Sequence, residues 1–184
     1  MVQTASRVIR VDPNRGQDPA QGAASDLFKT LTAALRQVNG NTLIQLAAGT
    51  YSGESGESFP LTVPAGTFLS GDETNQGKTV VIRGGGAFAS PQLGDRNLTL
   101  VLQGDAQVRG VTITNPQGSG IGVAAGRPLV RASQIMQCSQ DGIVVAGTAM
   151  PSILECLLEG LGNQGVVFSQ RAKGEMRRCI VRRC

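Results

Sequence analysis

From residue 108 onward the chain repeats a short pattern of apolar and polar positions every 22–23 residues. Within each repeat, apolar residues alternate with polar ones, which predicts short strands with one buried face. The strands are separated by Gly, Asn, Asp and Pro, as turns require. The equivalent apolar-column positions are Val108, Val130, Ile153 and Met176; Val111, Ser133, Cys156 and Cys179; and Ile113, Ile135, Leu158 and Val181.

This period is typical of a solenoid, in which each repeat is one coil that buries its apolar face against its neighbours. A leucine-rich repeat has a similar length, but its L-x-x-L-x-L-x-x-N pattern is missing. The sequence therefore predicts an all-β fold, a single-stranded right-handed parallel β-helix whose equivalent residues stack about 4.8 Å apart. Gly120, Gly142 and Gly165 recur at the same spacing and are expected to mark bends.

One amphipathic α-helix is predicted over residues 27–38, ahead of the strands. Ser25 or Asp26 is the expected N-cap, and Asn39-Gly40 is the expected end. A helix with a single apolar face must cover an apolar surface, so we expect it to cap the N-terminal end of the β-helix. Its apolar stripe is Phe28, Leu31, Ala34, Leu35 and Val38.

The chain is expected to form one β-helix domain, residues 1–184, in three parts. Residues 7–40 hold an N-terminal strand, a loop and the capping helix, residues 41–104 hold irregular first coils, and residues 105–184 hold regular coils. The strands predicted outside the later repeats are Arg7–Val11, Thr42–Leu46, Leu61–Val63, Thr67–Leu69, Thr79–Arg83, Asn97–Leu102 and Val108–Ile113.

Composition excludes several classes of active site. The 184 residues include no His, so Ser-His-Asp catalysis, Cys-His catalysis and histidine-ligated zinc are ruled out. No C-x-x-C spacing indicates a metal site, and we expect no catalytic residue, no metal and no cofactor. No apolar run approaches the ~18 residues of a membrane span, and residues 1–14 lack the apolar segment of a secretory signal. Localisation stays open.

Positive charge is concentrated at the end of the sequence. Arg177, Arg178, Arg182 and Arg183 form a candidate patch for an anionic partner, such as an acidic polysaccharide or phosphate. The same residues also have a structural interpretation, because Glu155 and Glu159 precede Arg178 and Arg182 by 23 residues and should pair with them across adjacent coils. Nucleic acid is not expected, since no aromatic residues are interleaved with the arginines.

Arg109 and Arg131, 22 residues apart, are expected to form an outward basic ladder and are the remaining candidate binding residues. Their nearby acids, Asp105 and Asp141, do not form the cluster that a calcium site needs.

The cysteines fall into two predicted columns. Cys156 and Cys179 stack on adjacent coils, whereas Cys138 and Cys184 lie two coils apart. A ladder of buried thiols is the favoured interpretation, with a disulfide or a metal site as alternatives. The glycine-rich stretches at residues 84–86 and 118–122 lack the Lys-Ser/Thr of a phosphate-binding loop, and bends of the β-helix explain them better.

Residues 8–125 resemble a pectin-lyase-like bacterial family of unknown function, the DUF1565-like proteins, with cyanobacterial members among them. The matching positions are Phe28-Lys29-Thr30, Gly49-Thr50-Tyr51, Gly56-Glu57, Phe59-Pro60 and Gly71-Asp72. The resemblance implies a right-handed β-helix with an N-terminal capping helix. Members of the wider superfamily cleave polysaccharides with calcium-binding Asp residues and a basic residue, or with clustered Asp residues, and neither set is found in this sequence.

Three functions are consistent with these observations. The leading hypothesis is a non-catalytic β-helix module that binds or scaffolds, associated with an acidic polysaccharide or a protein partner. The alternatives are a polysaccharide lyase or glycoside hydrolase on the same fold, and an assembly subunit that associates with a second copy through its C-terminal coil.

Overall fold

The chain winds into successive coils in which strands at equivalent positions pair side by side. The computed structural model describes residues 5–18 and 27–184. The first strands in chain order are β1 (Arg7–Val11), β2 (Leu27–Phe28), β3 (Thr42–Leu46), β4 (Gly49–Ser52), β5 (Leu61–Val63), β6 (Thr67–Ser70), β7 (Val80–Arg83), β8 (Gly86–Ser90) and β9 (Gly94–Leu102). The later strands are β10 (Gln107–Arg109), β11 (Thr112–Thr114), β12 (Ser119–Val123), β13 (Leu129–Arg131), β14 (Gln134–Met136), β15 (Ile143–Val145), β16 (Ser152–Leu154), β17 (Leu157–Glu159), β18 (Val166–Phe168), β19 (Glu175–Arg177) and β20 (Ile180–Arg182).

These strands form three long sheets that run along the solenoid. Sheet A has the order β19-β16-β13-β10-β6-β3-β1-β2, sheet B has β20-β17-β14-β11-β7-β4, and sheet C has β18-β15-β12-β9-β5. Neighbours within each order are parallel, and β8 pairs antiparallel with β9. Val108, Val130, Ile153 and Met176 are register partners, as the repeat predicts. The fold is a right-handed parallel β-helix.

Alternate residues of each strand point inward and build one continuous, mainly aliphatic core. Val108, Val130 and Ile153 are each 0 % exposed. A second, smaller apolar cluster lies outside sheet C, where the β8–β9 hairpin packs on it. Its members are Leu93, Leu98, Val101, Val144 and Ala146, with Phe88 and Ala124 at the edge. The sequence pattern predicted neither β8 nor this cluster.

In the later coils, short corners are made by a residue in the left-handed conformation. Between sheets A and B these residues are Gly110, Ala132, Glu155 and Arg178, with φ of 62°, 45°, 57° and 54°. After sheet B they include Gln137, Gly160 and Arg183, with φ of 51°, 66° and 55°. The single strand predicted over 108–113 is therefore wrong, because Gly110 turns the chain and divides it into β10 and β11.

The column of Gly120, Gly142 and Gly165 has a different role from the predicted one. None of the three has a positive φ, and Gly120 lies inside β12. A Cβ on Gly120 would lie 2.7 Å from the Gly142 carbonyl oxygen, and one on Gly142 would lie 2.6 Å from the Gly165 carbonyl oxygen. These glycines are needed for the close approach of successive coils, not for bending.

The N-terminal helix is shorter than the apolar stripe indicates. Helix α1 spans Leu31–Leu35, with Leu31 and Ala34 buried in the core. Phe28 instead lies in β2 and pairs with Val11 of β1, because the sheet edge offers its backbone hydrogen bonds before the helix begins. Thr30 is the N-cap and accepts from the Ala33 amide at 3.1 Å. The predicted caps, residues 25 and 26, lie outside the described residues.

Two carboxylates from distant loops bind the free amides at the start of α1. Asp18 accepts from the amides of Lys29 and Thr30 at 2.8 and 3.0 Å, and Glu57 accepts from those of Leu31 and Thr32 at 2.7 and 2.8 Å. Burial raises the pKa of Glu57, against the lowering effect of these hydrogen bonds. Glu57 therefore fastens the helix to the first coils.

Tyr51 lies in β4 and packs in the core at its N-terminal end. The pattern of apolar and polar residues did not predict this strand. Its side chain is 0 % exposed, and its hydroxyl lies 3.0 Å from the Val11 carbonyl oxygen and 2.9 Å from the Ala47 carbonyl oxygen. Burial raises the pKa of Tyr51 well above its usual value, and the charges of Asp12 and Glu57 add to the shift. The Tyr51 hydroxyl thus links the end of β1 to the residue that follows β3.

The left-handed corners predict that Gly160→Ala destabilises the protein. Gly160 has φ of 66°, and the nearest atom to a Cβ there would be the Gln137 nitrogen at 3.8 Å, so the cost is conformational rather than steric. We expect a loss of about 1 kcal/mol in the free energy of unfolding, measured by urea denaturation. The control is Gly53→Ala, which has open space around it and no positive φ. Equal losses in the two variants would contradict this explanation.

The buried Tyr51 hydroxyl predicts a loss of stability at alkaline pH. A folded-state pKa above the unfolded value favours folding fully below pH ~10, and that contribution is lost as pH rises through the folded pKa. Above pH ~10 we expect the wild-type protein to lose stability more steeply than Tyr51→Phe, by up to about 1 kcal/mol per pH unit. Denaturant unfolding across this range measures both slopes. Parallel slopes would show that Tyr51 does not titrate on unfolding.

Candidate functional site

The six predicted binding arginines lie on two faces and two corners of the β-helix rather than in one flat patch. Arg109 and Arg131 are register neighbours on the outer face of sheet A, which confirms the predicted ladder geometry. Arg177 lies in the same row, separated from Arg131 by Leu154. We refer to these six side chains as the arginine surface: Arg109, Arg131, Arg177, Arg178, Arg182 and Arg183.

The other three arginines lie further along the last coil. Arg178 occupies the left-handed corner between sheets A and B, Arg182 lies on β20 of sheet B, and Arg183 occupies the next left-handed corner.

Every member of the arginine surface has an acidic partner. The two predicted pairs are confirmed, with Arg178 at 3.2 Å from Glu155 and Arg182 at 2.9 Å from Glu159. Three further pairs were not predicted, and they join Arg131 to Glu155 at 3.3 Å, Arg183 to Glu159 at 3.2 Å and Arg177 to Glu175 at 2.9 Å.

Glu73 is the acidic neighbour of Arg109 and Arg131 that sequence reasoning missed. Its carboxylate lies 4.0 Å from the Arg109 guanidinium and 3.7 Å from that of Arg131, so it bridges the ladder. It starts a 3₁₀ turn, Glu73–Asn75, whose N-cap Asp72 accepts from the Thr74 amide at 3.0 Å. The spacing from Glu73 to Arg109 is not a coil repeat, so no periodic signal could have identified the pair.

These ion pairs leave the arginines exposed to different degrees. The side chains of Arg178, Arg183 and Arg177 are 81 %, 78 % and 73 % exposed, whereas those of Arg131 and Arg109 are 41 % and 34 % exposed. Exposed ion pairs contribute only about 0–1 kcal/mol each and weaken with salt. The arginine surface keeps an excess of positive charge, because its six arginines are paired with only Glu73, Glu155, Glu159 and Glu175.

Asp105 and Asp141, the acids near Arg109 and Arg131 in the sequence, make structural contacts. Asp105 accepts from the Gly66 amide at 2.7 Å. Asp141 lies 3.2 Å from the Arg96 guanidinium and accepts from the Gln164 amide at 3.3 Å. Within residues 5–18 and 27–184, no group of three or more His, Cys, Asp or Glu residues is placed to hold a metal ion.

The four cysteines are free thiols. The Cys156 thiol donates to the Leu154 carbonyl at 3.2 Å, and the Cys179 thiol on the next coil donates to the Ile153 carbonyl at 3.3 Å. Interaction with the Cys179 thiol, together with burial, raises the pKa of Cys156, and the same interaction lowers the pKa of Cys179. Burial raises the pKa of Cys138 to about 11. The predicted thiol ladder of Cys156 and Cys179 is thus present.

The last coil exposes large apolar side chains. Phe168, Met176, Ile180 and Val181 are between 37 % and 58 % exposed, although Met176 and Val181 belong to the repeating apolar pattern.

Among the described residues, the structure contains no helix with the length and hydrophobicity of a membrane span.

A family model described as "Protein of unknown function (DUF1565)" matches residues 14–176. The chain belongs to this family. No curated protein matches this chain. Among solved structures, the "Crystal structure of pectate lyase Pel9A" matches with a TM-score of 0.70 and 18 % identity, over 96 % of this chain and 48 % of that one. The DUF1565 chain thus spans about half the length of the pectate lyase, and the likeness shows the fold alone.

The residues that carry the family resemblance have structural roles. Thr30 caps α1, Glu57 binds its amides and Tyr51 closes the core. Asp72 caps the 3₁₀ turn, and a Cβ on Gly49 would lie 2.6 Å from the Pro13 side chain. These positions specify how the first coils are built, so they identify the fold of a DUF1565 protein without indicating a ligand.

Thiol reactivity is predicted to follow burial. Cys184, which is exposed, and Cys179, which is half-buried and has a lowered pKa, should react in the native protein, since the thiolate is the reactive form. Cys138 and Cys156 are buried and should react only on unfolding. Alkylation followed by peptide mass spectrometry gives the order, and all four thiols should be counted in denaturant without reductant. A count below four would instead indicate a disulfide.

Proposed function

We propose that this DUF1565 protein is a non-catalytic β-helix module that binds an extended acidic ligand, such as an acidic polysaccharide, along the arginine surface. The observation that carries the proposal is the stacking of Arg109 on Arg131 in one outward row of sheet A, with Arg177 further along it. Successive coils place the positions of this row about 4.8 Å apart, so a linear polymer along sheet A would meet Arg109 and Arg131 on adjacent coils and Arg177 two coils further on.

The carboxylates around the row support binding over catalysis. Glu73 and Glu155 each lie within ion-pair distance of two arginines, where they keep the guanidinium groups in place. An acidic ligand would compete with these glutamates through a charge-assisted hydrogen bond of the same kind. The expected binding is therefore moderate in strength and strongly dependent on ionic strength.

The proposal predicts that Arg109→Gln/Arg131→Gln weakens binding to an acidic polymer. We expect affinity electrophoresis in gels containing polygalacturonate to show a loss of about ten-fold in affinity, because two guanidinium contacts are removed together. The matched control is Arg36→Gln/Arg127→Gln, which removes the same charge from two exposed arginines elsewhere. Neutral dextran should retard none of the variants.

The same preparations separate this function from its alternatives. Equal retardation of the two double variants would overturn the binding surface. Release of unsaturated or reducing ends from the polymer, with or without calcium, would overturn the non-catalytic assignment in favour of a lyase or hydrolase. Light scattering without polymer tests self-association, and a dimer that buries the arginine surface would assign the row to a protein partner.

A further inference from the structure

A cavity of about 440 Å³ lies beside the corner where sheet B leads into sheet C, on a different face from the ladder of Arg109 and Arg131. We refer to it as the corner cavity, lined by Ser52, Glu54, Phe59, Arg83, Gly84 and Gln117. Its volume falls within the range of pockets that hold small molecules, roughly 300–1,000 Å³.

The far wall of the corner cavity is fixed by a buried side chain. Asn115 is 0 % exposed, and its amide nitrogen lies 3.0 Å from the Asn97 side-chain oxygen and 2.8 Å from the Ser119 carbonyl oxygen. Its own side-chain oxygen accepts from the Gln117 amide at 3.0 Å. The turn that presents Gln117 is thus held by hydrogen bonds within the core, which gives the cavity a preformed wall.

The three-glycine run shapes the opposite wall. Gly84 has φ of 141°, and a Cβ there would lie 2.6 Å from Cε2 of the Phe59 ring. The Gly84 amide donates to the Thr114 carbonyl at 3.0 Å, and its carbonyl accepts from the Thr99 hydroxyl at 2.6 Å. The bend predicted for residues 84–86 is therefore present at Gly84, and it lets an aromatic ring line the cavity beside Arg83.

The corner cavity presents one cation and one anion that have no partner. Arg83 and Glu54 are exposed, and neither forms an ion pair or a side-chain hydrogen bond within residues 5–18 and 27–184. They differ in this from every member of the arginine surface. Such unpaired groups around one preformed cavity are available for a ligand.

We propose that the corner cavity binds a small organic carboxylate whose other end carries hydrogen-bond donors. Arg83 suits the carboxylate, because its planar guanidinium can donate two parallel hydrogen bonds to the two oxygens. Glu54 and the Gln117 side-chain oxygen accept from the donors at the other end, and Phe59 contacts the apolar C–H groups between them. Both an α-amino acid and a sugar acid have this chemistry.

Isothermal titration calorimetry of the full chain with L-serine and with glucuronate tests the proposal. The two probes distinguish an α-amino acid from a sugar acid as the ligand. Binding of either probe should fall at least about ten-fold in Arg83→Gln. The control Arg127→Gln, which also removes one exposed arginine, should leave binding unchanged. Glu54→Gln should weaken L-serine more than glucuronate, since an ammonium group depends on the carboxylate charge and a hydroxyl does not. Circular dichroism confirms that each variant is folded.

Several outcomes would overturn the corner cavity as this site. They are failure of both probes to bind the wild-type protein, equal binding by Arg83→Gln and wild type, or equal binding of methyl glucoside and glucuronate. The result is independent of the polymer-binding function, because Arg83→Gln should retain its retardation in polygalacturonate gels. Conversely, Arg109→Gln/Arg131→Gln should bind L-serine and glucuronate as the wild-type protein does.

Discussion

Parallel pairing of each coil with the next, in register, is the constraint on which the rest of this structure depends. A coil of 22–23 residues must complete a full turn and return its strands to the same three sheets. That length leaves very short corners between the strands. In the later coils the chain turns these corners with a single residue in the left-handed region. The corners accept Ala132, Glu155 and Arg178 as well as glycine, because the hydrogen bonds of adjacent coils hold them in place.

The same constraint explains why an N-terminal cap is needed and how it is built. Helix α1 covers the core at this end of the solenoid with Leu31 and Ala34. A helix this short is not stable alone. Glu57 binds the amides of its first turn, and Asp18 binds the amides of the residues just before it. The resemblance positions Thr30, Tyr51 and Glu57 thus build this end of the solenoid.

Two kinds of charge arrangement occupy those outer faces. On the arginine surface the coil repeat brings acids and bases together, so Glu155 serves both Arg131 and Arg178. At the corner cavity the chain departs from the repeat, and Arg83 and Glu54 have no partners among residues 5–18 and 27–184. The first arrangement suits a polymer that exchanges with exposed ion pairs, and the second suits a small ligand that fills a defined space.

The sequence by itself determined the parallel β-helix, the pairing of Glu155 with Arg178 and of Glu159 with Arg182, and the stacking of Arg109 on Arg131. These features depend on a period, and parallel strands in register convert a period along the chain directly into a contact. Only the tertiary structure decided that Phe28 is in a strand, that Glu73 bridges the ladder, and that Phe59, Arg83 and Gln117 enclose a cavity. Those contacts join segments outside the repeat, where no spacing relates the residues and the packing of the whole coil sets which side chains meet.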